Sequence, residues 1–274
     1  MTTRRFGIGL RGNLHAGEYA RLGRLAEDLG FDVVSAFHDL GDQSAIVPLL
    51  EVAGATTRVR LGPACLNPYT MAYEEIAEAM AGLNVASGGR AYLGLARGAW
   101  LGIAQADAVA RVRDAARFVT SRVDIPLLIG GWGPRMVALA GQIADELKIG
   151  GSANPAIVPV MRSRLGSERT GIVLGAVTVV DDDGVAARAH ALATVQRYYE
   201  VVARLDPTLT DVPAAVTDDL LDLFAFAGTP EQVVRHVDAV FAAGASRVEF
   251  GAPFGLESET GLRLLAGNVL RRGE

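Results

Sequence analysis

Ile125-Pro-Leu-Leu-Ile-Gly-Gly-Trp-Gly-Pro-Arg-Met-Val-Ala-Leu-Ala-Gly-Gln-Ile-Ala-Asp-Glu-Leu-Lys-Ile149 reads as a buried strand, a glycine-rich turn, a helix and a second buried strand. The turn Gly130-Gly131-Trp132-Gly133-Pro134-Arg135 falls where the strand gives way to the helix. At such a junction the free backbone N–H groups and the helix dipole favour a phosphate or another anion. Pro134 suits the first helical turn, and Arg135 adds a fixed positive charge. Taken alone, the same residues also describe a plain glycine-rich βα loop that binds nothing.

The alternation continues on both sides of this stretch. Strand candidates are Phe6–Leu10, Asp32–Phe37, Val59–Leu66, Ala91–Leu95, Pro126–Gly130, Glu146–Gly150, Gly171–Val180 and Arg247–Gly251. Amphipathic helical patterns run over Ala16–Leu29, Glu74–Val85, Gln105–Val119, Pro134–Ile143, Gly184–Leu205 and Pro230–Ala243. Strand–helix units with buried strands predict a parallel sheet with helices outside. Eight of them predict a (β/α)8 TIM barrel of α/β class, read as a single domain over residues 1–274. The dinucleotide fingerprint of an open sheet is missing after the first strand, where Leu10-Arg-Gly-Asn-Leu-His15 stands instead. A helical expansion separates strands seven and eight, with a second helix over Asp218–Phe224. The link before strand five, Thr120–Asp124, is shortened.

Composition narrows the function classes. The net charge of −5 argues against nucleic acid, which selects a basic face. Cys65 is the only cysteine, so no internal disulfide and no C-x-x-C metal site can form. The start runs straight into a strand, and no charge-free apolar run approaches ~18 residues. These features predict a cytoplasmic protein without a membrane span. Lys148 is the only lysine among 26 basic residues.

In a barrel, chemistry sits on the loops at the carboxyl ends of the strands. Here that rim has few acids, several glycines and apolar patches. The four histidines lack metal-ligand spacing, and no Gly-x-Ser-x-Gly elbow or flanking carboxylate pair appears. Such a rim suits a bound cofactor that carries the chemistry. His38 is the best titratable candidate, because Asp39 beside it could hold its tautomer or raise its proton affinity; the same residue also reads as a histidine capping a loop near the following helix. Cys65 reads as a small buried hydrophobe rather than a nucleophile. Arg97 suits either an anionic ligand or a surface ion pair, and Trp100 and Trp132 either wall or cover the mouth.

These residues carry a resemblance. Ala26-Glu-Asp-Leu-Gly-Phe-Asp-Val-Val34, Thr57–Thr70, Ser87-Gly-Gly-Arg-Ala-Tyr-Leu-Gly-Leu-Ala-Arg-Gly98, Ile125–Ile149 and Thr229-Pro-Glu-Gln-Val are similar, in order, to segments of the bacterial-luciferase-like flavin and deazaflavin oxidoreductases. The branch that includes methylenetetrahydromethanopterin reductase is the nearest in pattern. The resemblance implies a barrel that binds coenzyme F420, or alternatively FMN, and acts on a small organic molecule, as a homodimer. It also implies a non-prolyl cis peptide in Ala64-Cys65-Leu66 beside the ring, with Asn67 next to ring or tail. Arg97, Gly98, Gly130, Gly131, Trp132, Gly133, Pro134 and Arg135 would surround the tail phosphate, and His38 would contact ring and substrate. Two departures stand out: Phe37 where relatives often carry Asp, and Ala99 where many carry an acid. Three readings follow: an F420-dependent oxidoreductase, an FMN-dependent monooxygenase, and a non-catalytic barrel that only holds a cofactor.

Overall fold

The computed structural model describes residues 4–38, 44–98 and 107–270. In chain order the elements begin β1 (Arg5–Leu10), α1 (Glu18–Leu29), β2 (Val33–Ala36), α2 (Ile46–Ala55), β3 (Arg60–Pro63) and α3 (Tyr73–Ala86). Next come β4 (Leu93–Ala96), α4 (Ala108–Thr120), β5 (Leu127–Gly130), α5 (Pro134–Ile143), β6 (Glu146–Gly150), α6 (Ile157–Leu165) and β7 (Gly171–Val180). The chain finishes with α7 (Gly184–Val195), α8 (Tyr199–Ala203), α9 (Asp218–Leu221), β8 (Ala225–Gly228), α10 (Pro230–Ala242), β9 (Arg247–Phe254) and α11 (Ser258–Asn268).

All strand pairings are parallel and run β3-β2-β1-β9-β7-β6-β5-β4. Two parallel bridges, Leu61 to Ala91 and Leu66 to Leu95, join the ends of this path. The result is a nearly closed eight-strand barrel, as the alternation predicts. The ninth strand, β8, stands outside the ring and pairs only with β7. Residues 171–175 of β7 face β6, while 177–180 face β8, so β8 takes the same edge of β7 above the point where β6 stops.

Residues alternate across the ring wall. Ile8, Val34, Ile129, Leu147, Ile149, Val248 and Phe250 join the large apolar cluster that contains the helix faces. A separate small cluster, Val33, Tyr92 and Leu128 with Cys65 packed on it, lies within the ring. The strands are therefore buried on both sides, but the inner side also holds charge, which the apolar reading of the strands does not anticipate.

Several expected elements are corrected. Gly184–Leu205 is two helices, because the chain turns at Gln196–Tyr198 between α7 and α8. Asp218–Phe224 shortens to α9, and the Phe224-Ala-Phe-Ala-Gly228 run that follows it supplies β8, where β-forming apolar residues pair with the free edge of β7. The third strand stops at Pro63 rather than Leu66, since a cis peptide at Ala64–Cys65 turns the chain before Leu66 rejoins β4. The last strand continues to Phe254.

Two of the segments that carry the family pattern prove structural. The Glu27 carboxylate, buried at the end of α1, accepts N–H bonds from Thr57, Arg58 and Val59 and so ties the first segment to the second. Arg90, the end of Ser87-Gly-Gly-Arg90, donates to the carbonyls of Ala53, Thr56, Val59 and Ser87 and to the Thr56 hydroxyl. Burial lowers its pKa, and no carboxylate among the described residues is bonded to it. Lysine cannot reach several acceptors at once with a planar fork. Arg90→Lys is therefore expected to cost about 1–2 kcal/mol in urea unfolding. A loss within error of zero would mean these bonds contribute nothing.

Candidate functional site

The carboxyl ends of the strands gather most of the predicted site residues. His38 lies half-buried just past β2, and its Nδ1 accepts the Ala45 backbone N–H at 3.3 Å. That bond leaves the ring proton on Nε2. Burial lowers the His38 pKa, so the imidazole is held neutral. This corrects the expectation of a raised proton affinity: the described partner is backbone at the start of α2, and Asp39 lies outside the described residues.

Past β3, the Ala64–Cys65 peptide is cis, as the resemblance implies. The half-buried Cys65 thiol lies over two glycines of the adjoining strands. A Cβ on Gly130 would come within 3.1 Å of its sulfur, and one on Gly94 within 3.5 Å. Leu66 donates to the Gly94 carbonyl at 2.8 Å and accepts from Ala96 at 3.0 Å, which stitches this turn to β4. Asn67 is buried, and its Oδ1 accepts the Tyr69 N–H at 2.8 Å. It thus holds its own turn.

Arg97 and Gly98 follow β4; Arg97 is exposed and Gly98 takes a left-handed φ of 74°. Ala99 and Trp100 lie outside the described residues. After β5, Gly131 donates to the Lys148 carbonyl at 3.1 Å, and α5 begins with Pro134 in its first turn and no side chain capping it. Gly133, Pro134 and Arg135 are exposed, and the space beside Gly133 is open. Trp132 behaves differently from the expectation of a mouth wall or tail contact. It is buried in the large apolar cluster, with its carbonyl accepting from Arg164.

Beneath this rim sits a group of residues that the sequence reading passed over. Glu249 accepts from Lys148 Nζ, from Arg247 Nη1 at 3.1 Å and from Ser35 Oγ at 2.6 Å. Ser35 also shares a 2.7 Å hydrogen bond with the Tyr92 hydroxyl. Arg247 reaches Glu146 at 2.7 Å with Nη2, and Arg5 reaches the same carboxylate at 2.7 Å. Lys148, Arg247 and Glu249 are all buried. Burial would raise the Glu249 pKa, but Lys148 and Arg247 outweigh it and hold the carboxylate ionised. Burial likewise opposes the Arg247 charge, and Glu146 with Glu249 raises its pKa in spite of that. Burial, followed by Glu249, pushes the Tyr92 phenol up, so it stays neutral. One signal in the sequence marks these residues: Glu146 with Lys148, and Arg247 with Glu249, stand two apart in strands and so share one face.

A cleft of about 930 Å³ opens at the opposite, amino-terminal end, lined in part by Arg4, Arg5, Arg162 and Arg169. Three of these arginines are engaged with acids, Arg4 with Asp238, Arg5 with Glu146 and Arg162 with Glu168. None of the predicted site residues reaches it. Among the described residues, no group of three or more His, Cys, Asp or Glu side chains is placed to hold a metal ion. No described helix is long and apolar enough to cross a membrane.

Comparison with known proteins agrees with this geometry. Over 331 aligned residues the chain is 25% identical to 5,10-methylenetetrahydromethanopterin reductase of Archaeoglobus fulgidus, covering 97% of this chain and 98% of that protein. The solved coenzyme F420-dependent tetrahydromethanopterin reductase from Methanopyrus kandleri superposes with a TM-score of 0.80 at 20% identity, over 98% of this chain and 99% of that one. Monooxygenase RslO1 from Streptomyces bottropensis superposes with a TM-score of 0.75 at 21% identity, over 98% of this chain and all (100%) of that one. The profile of the luciferase-like monooxygenase family matches residues 1–120 and 103–247. Fold and sequence thus agree, and the chain belongs to the luciferase-like monooxygenase family of flavin- or F420-dependent oxidoreductases.

Proposed function

We propose that the protein is an F420-dependent oxidoreductase that moves a hydride between the deazaflavin ring and a small organic substrate. The observation that carries this reading is the uncapped start of α5, with open space at Gly133, adjoining a floor of small residues at Cys65, Gly94 and Gly130. The helix start with Arg135 and Arg97 suits an anionic tail, and Gly94 and Gly130, covered by Pro63 and the Cys65 sulfur, let the Ala64–Cys65 turn pack down onto β4 and β5. When bound, the deazaflavin supplies the hydride chemistry.

The chain's own residues do the rest. The exposed Gly133, Pro134 and Arg135 bind and orient the tail. The half-buried Cys65 and Phe37 offer apolar surface that excludes water from the ring. His38, neutral and protonated on Nε2, can donate a hydrogen bond from Nε2 to a substrate oxygen and so hold and polarise it. The coenzyme F420 dependence named for the Methanopyrus kandleri reductase favours the deazaflavin over FMN. The similarity to a named monooxygenase sustains the FMN reading as the second one.

Titration with coenzyme F420 and with FMN, followed by quenching of tryptophan fluorescence, tests the cofactor. Micromolar binding of F420 with no comparable binding of FMN is expected. Tight FMN binding with substrate-coupled oxygen consumption would replace this reading by the monooxygenase, and absence of binding to both would remove it. His38→Ala is expected to lower turnover at least about tenfold with cofactor affinity little changed, given the usual gain from a positioned hydrogen-bond donor. Full turnover in that variant would take His38 out of the mechanism.

A further inference from the structure

We infer that Phe37 is a specificity-determining residue: its phenyl ring roofs the buried Lys148–Glu249 pair, so a bound molecule meets an apolar surface there and an anionic group is refused. The inference rests on the reading that a small organic substrate binds at the carboxyl end, and adds the residue that selects its charge.

Position is the first argument. Ser35, two residues earlier and on the same face of the chain, bonds to Glu249, so Phe37 also points into the ring of strands. The Phe37 backbone N–H donates to the Leu10 carbonyl at 2.9 Å, which fixes the residue at the carboxyl end of the wall. The Lys148 ammonium lies over the phenyl ring, 5.3 Å from its centroid. A Cβ on Gly9 would meet that ring at 2.6 Å and Glu249 Oε1 at 3.3 Å, so the phenyl crosses to β1 beside the carboxylate. Glycine at position 9 leaves the room for this crossing.

The surroundings of the ring are the second argument. Phe6, Phe226, Phe250 and Phe254 lie in the large apolar cluster, whereas Phe37 joins neither apolar cluster and is half-buried. A phenyl that only filled space would sit with the others. One face of this ring is spent on a cation, which an aromatic face attracts. Beneath it the side chains of Lys148 and Glu249 are 6% and 1% exposed. Without the ring both charges would border the mouth, wetted and open to charged substrate groups. With it, the mouth presents hydrocarbon and a π face, which strips an anion of water and offers it no donor.

Lys148 is the only lysine in the chain, so reductive methylation with peptide mass mapping reads one side chain, the α-amino group serving as reference. Lys148 is expected to react at least about tenfold more slowly in wild type than in Phe37→Ala, as a group shielded in the closed structure does. Phe37→Leu, which keeps most of the roof, should stay within about threefold of wild type. Leu262→Ala truncates the buried core under α11 without touching the roof, and should leave Lys148 as slow as in wild type. Charge selection is read with benzoate and benzyl alcohol, the same ring with and without a charge, titrated by saturation-transfer NMR. Glu249→Gln removes the carboxylate under the roof, and Phe37→Ala/Glu249→Gln removes roof and carboxylate together. Benzoate affinity is expected to rise at least about tenfold in the double variant only, the scale of a hydrogen bond to a charged group, with benzyl alcohol gaining less than about threefold.

Circular dichroism establishes that each variant is folded. Should the Glu249→Gln variants fail to fold, the methylation rates decide the matter on their own. Lys148 that reacts as fast in wild type or in Leu262→Ala as in Phe37→Ala overturns the inference. So does a benzoate gain in Glu249→Gln alone, no gain in the double variant, or equal gains for both probes. Each of these outcomes leaves the cofactor titration, and with it the oxidoreductase reading, untouched. If wild type binds neither F420 nor FMN, the oxidoreductase reading fails and the substrate role of Phe37 falls with it.

Discussion

Arg247→Met is expected to destabilise the protein by about 3–5 kcal/mol, the typical cost of removing one member of a buried ion pair. The guanidinium is fully buried and bridges Glu146 and Glu249, which otherwise lie within the ring on different strands. Methionine matches much of its volume but leaves two carboxylates facing each other with only Arg5 and Lys148 to balance them. Those two sit at opposite ends of the cluster and cannot replace a bidentate bridge. Urea unfolding followed by far-ultraviolet circular dichroism measures the loss. Adding Glu146→Gln and Glu249→Gln to the same chain is expected to deepen the loss, because Lys148 would then be buried with neither carboxylate beside it. A loss below about 1 kcal/mol in the single variant, at the level of an exposed pair, would show that the network does not hold the barrel together.

Glu27→Gln is expected to cost about 2–3 kcal/mol at pH 7, the scale of a carboxylate pKa displaced by roughly two units. Burial works to raise the Glu27 pKa, but the N–H donors of Val59, Arg58 and Thr57 overcome it and bring it down to about 2 from an ordinary 4.5. The sign follows from linkage. In the unfolded chain the carboxyl takes up a proton near pH 4.5, whereas in the folded chain it stays ionised until about pH 2. Its stabilisation is therefore complete above pH 4.5 and is lost as the pH falls towards 2. The difference between wild type and Glu27→Gln in urea unfolding should narrow between pH 5 and pH 3. A difference that stays constant with pH would mean the carboxylate charge is not what joins α1 to the start of β3.

The fold was legible because its signals are local. Pro134–Ile143, Glu146–Gly150 and Gly171–Val180 emerge as read, since Pro at a helix start and unbroken apolar runs constrain the backbone directly. β8 was not legible, because Ala225–Gly228 becomes a strand only by finding the free edge of β7. The split of Gly184–Leu205 was hidden for a related reason: apolar residues continue through the break, and the turn at Gln196–Tyr198 lacks Gly or Pro. At the site, glycines and proline in the β5–α5 turn announced themselves, whereas Trp132 did not reveal that it turns inward. The charged cluster lay hidden in plain letters. Lys148 and Glu249 are 101 residues apart, and only closure of the ring makes them partners.

β8 has a consequence for how freely this chain can vary. A closed barrel ties strand number to stagger and tilt, so inserting a strand into the wall obliges every neighbour to shift. β8 escapes that constraint by hanging on the part of β7 that rises past β6. The stretch between α7 and β8 can lengthen, shorten or be exchanged while all eight wall strands keep their neighbours and their shear. Tyr199, Phe224 and Phe226 give that stretch buried anchors of its own. It is an annex built against the tower, open to remodelling that leaves the masonry of the tower undisturbed.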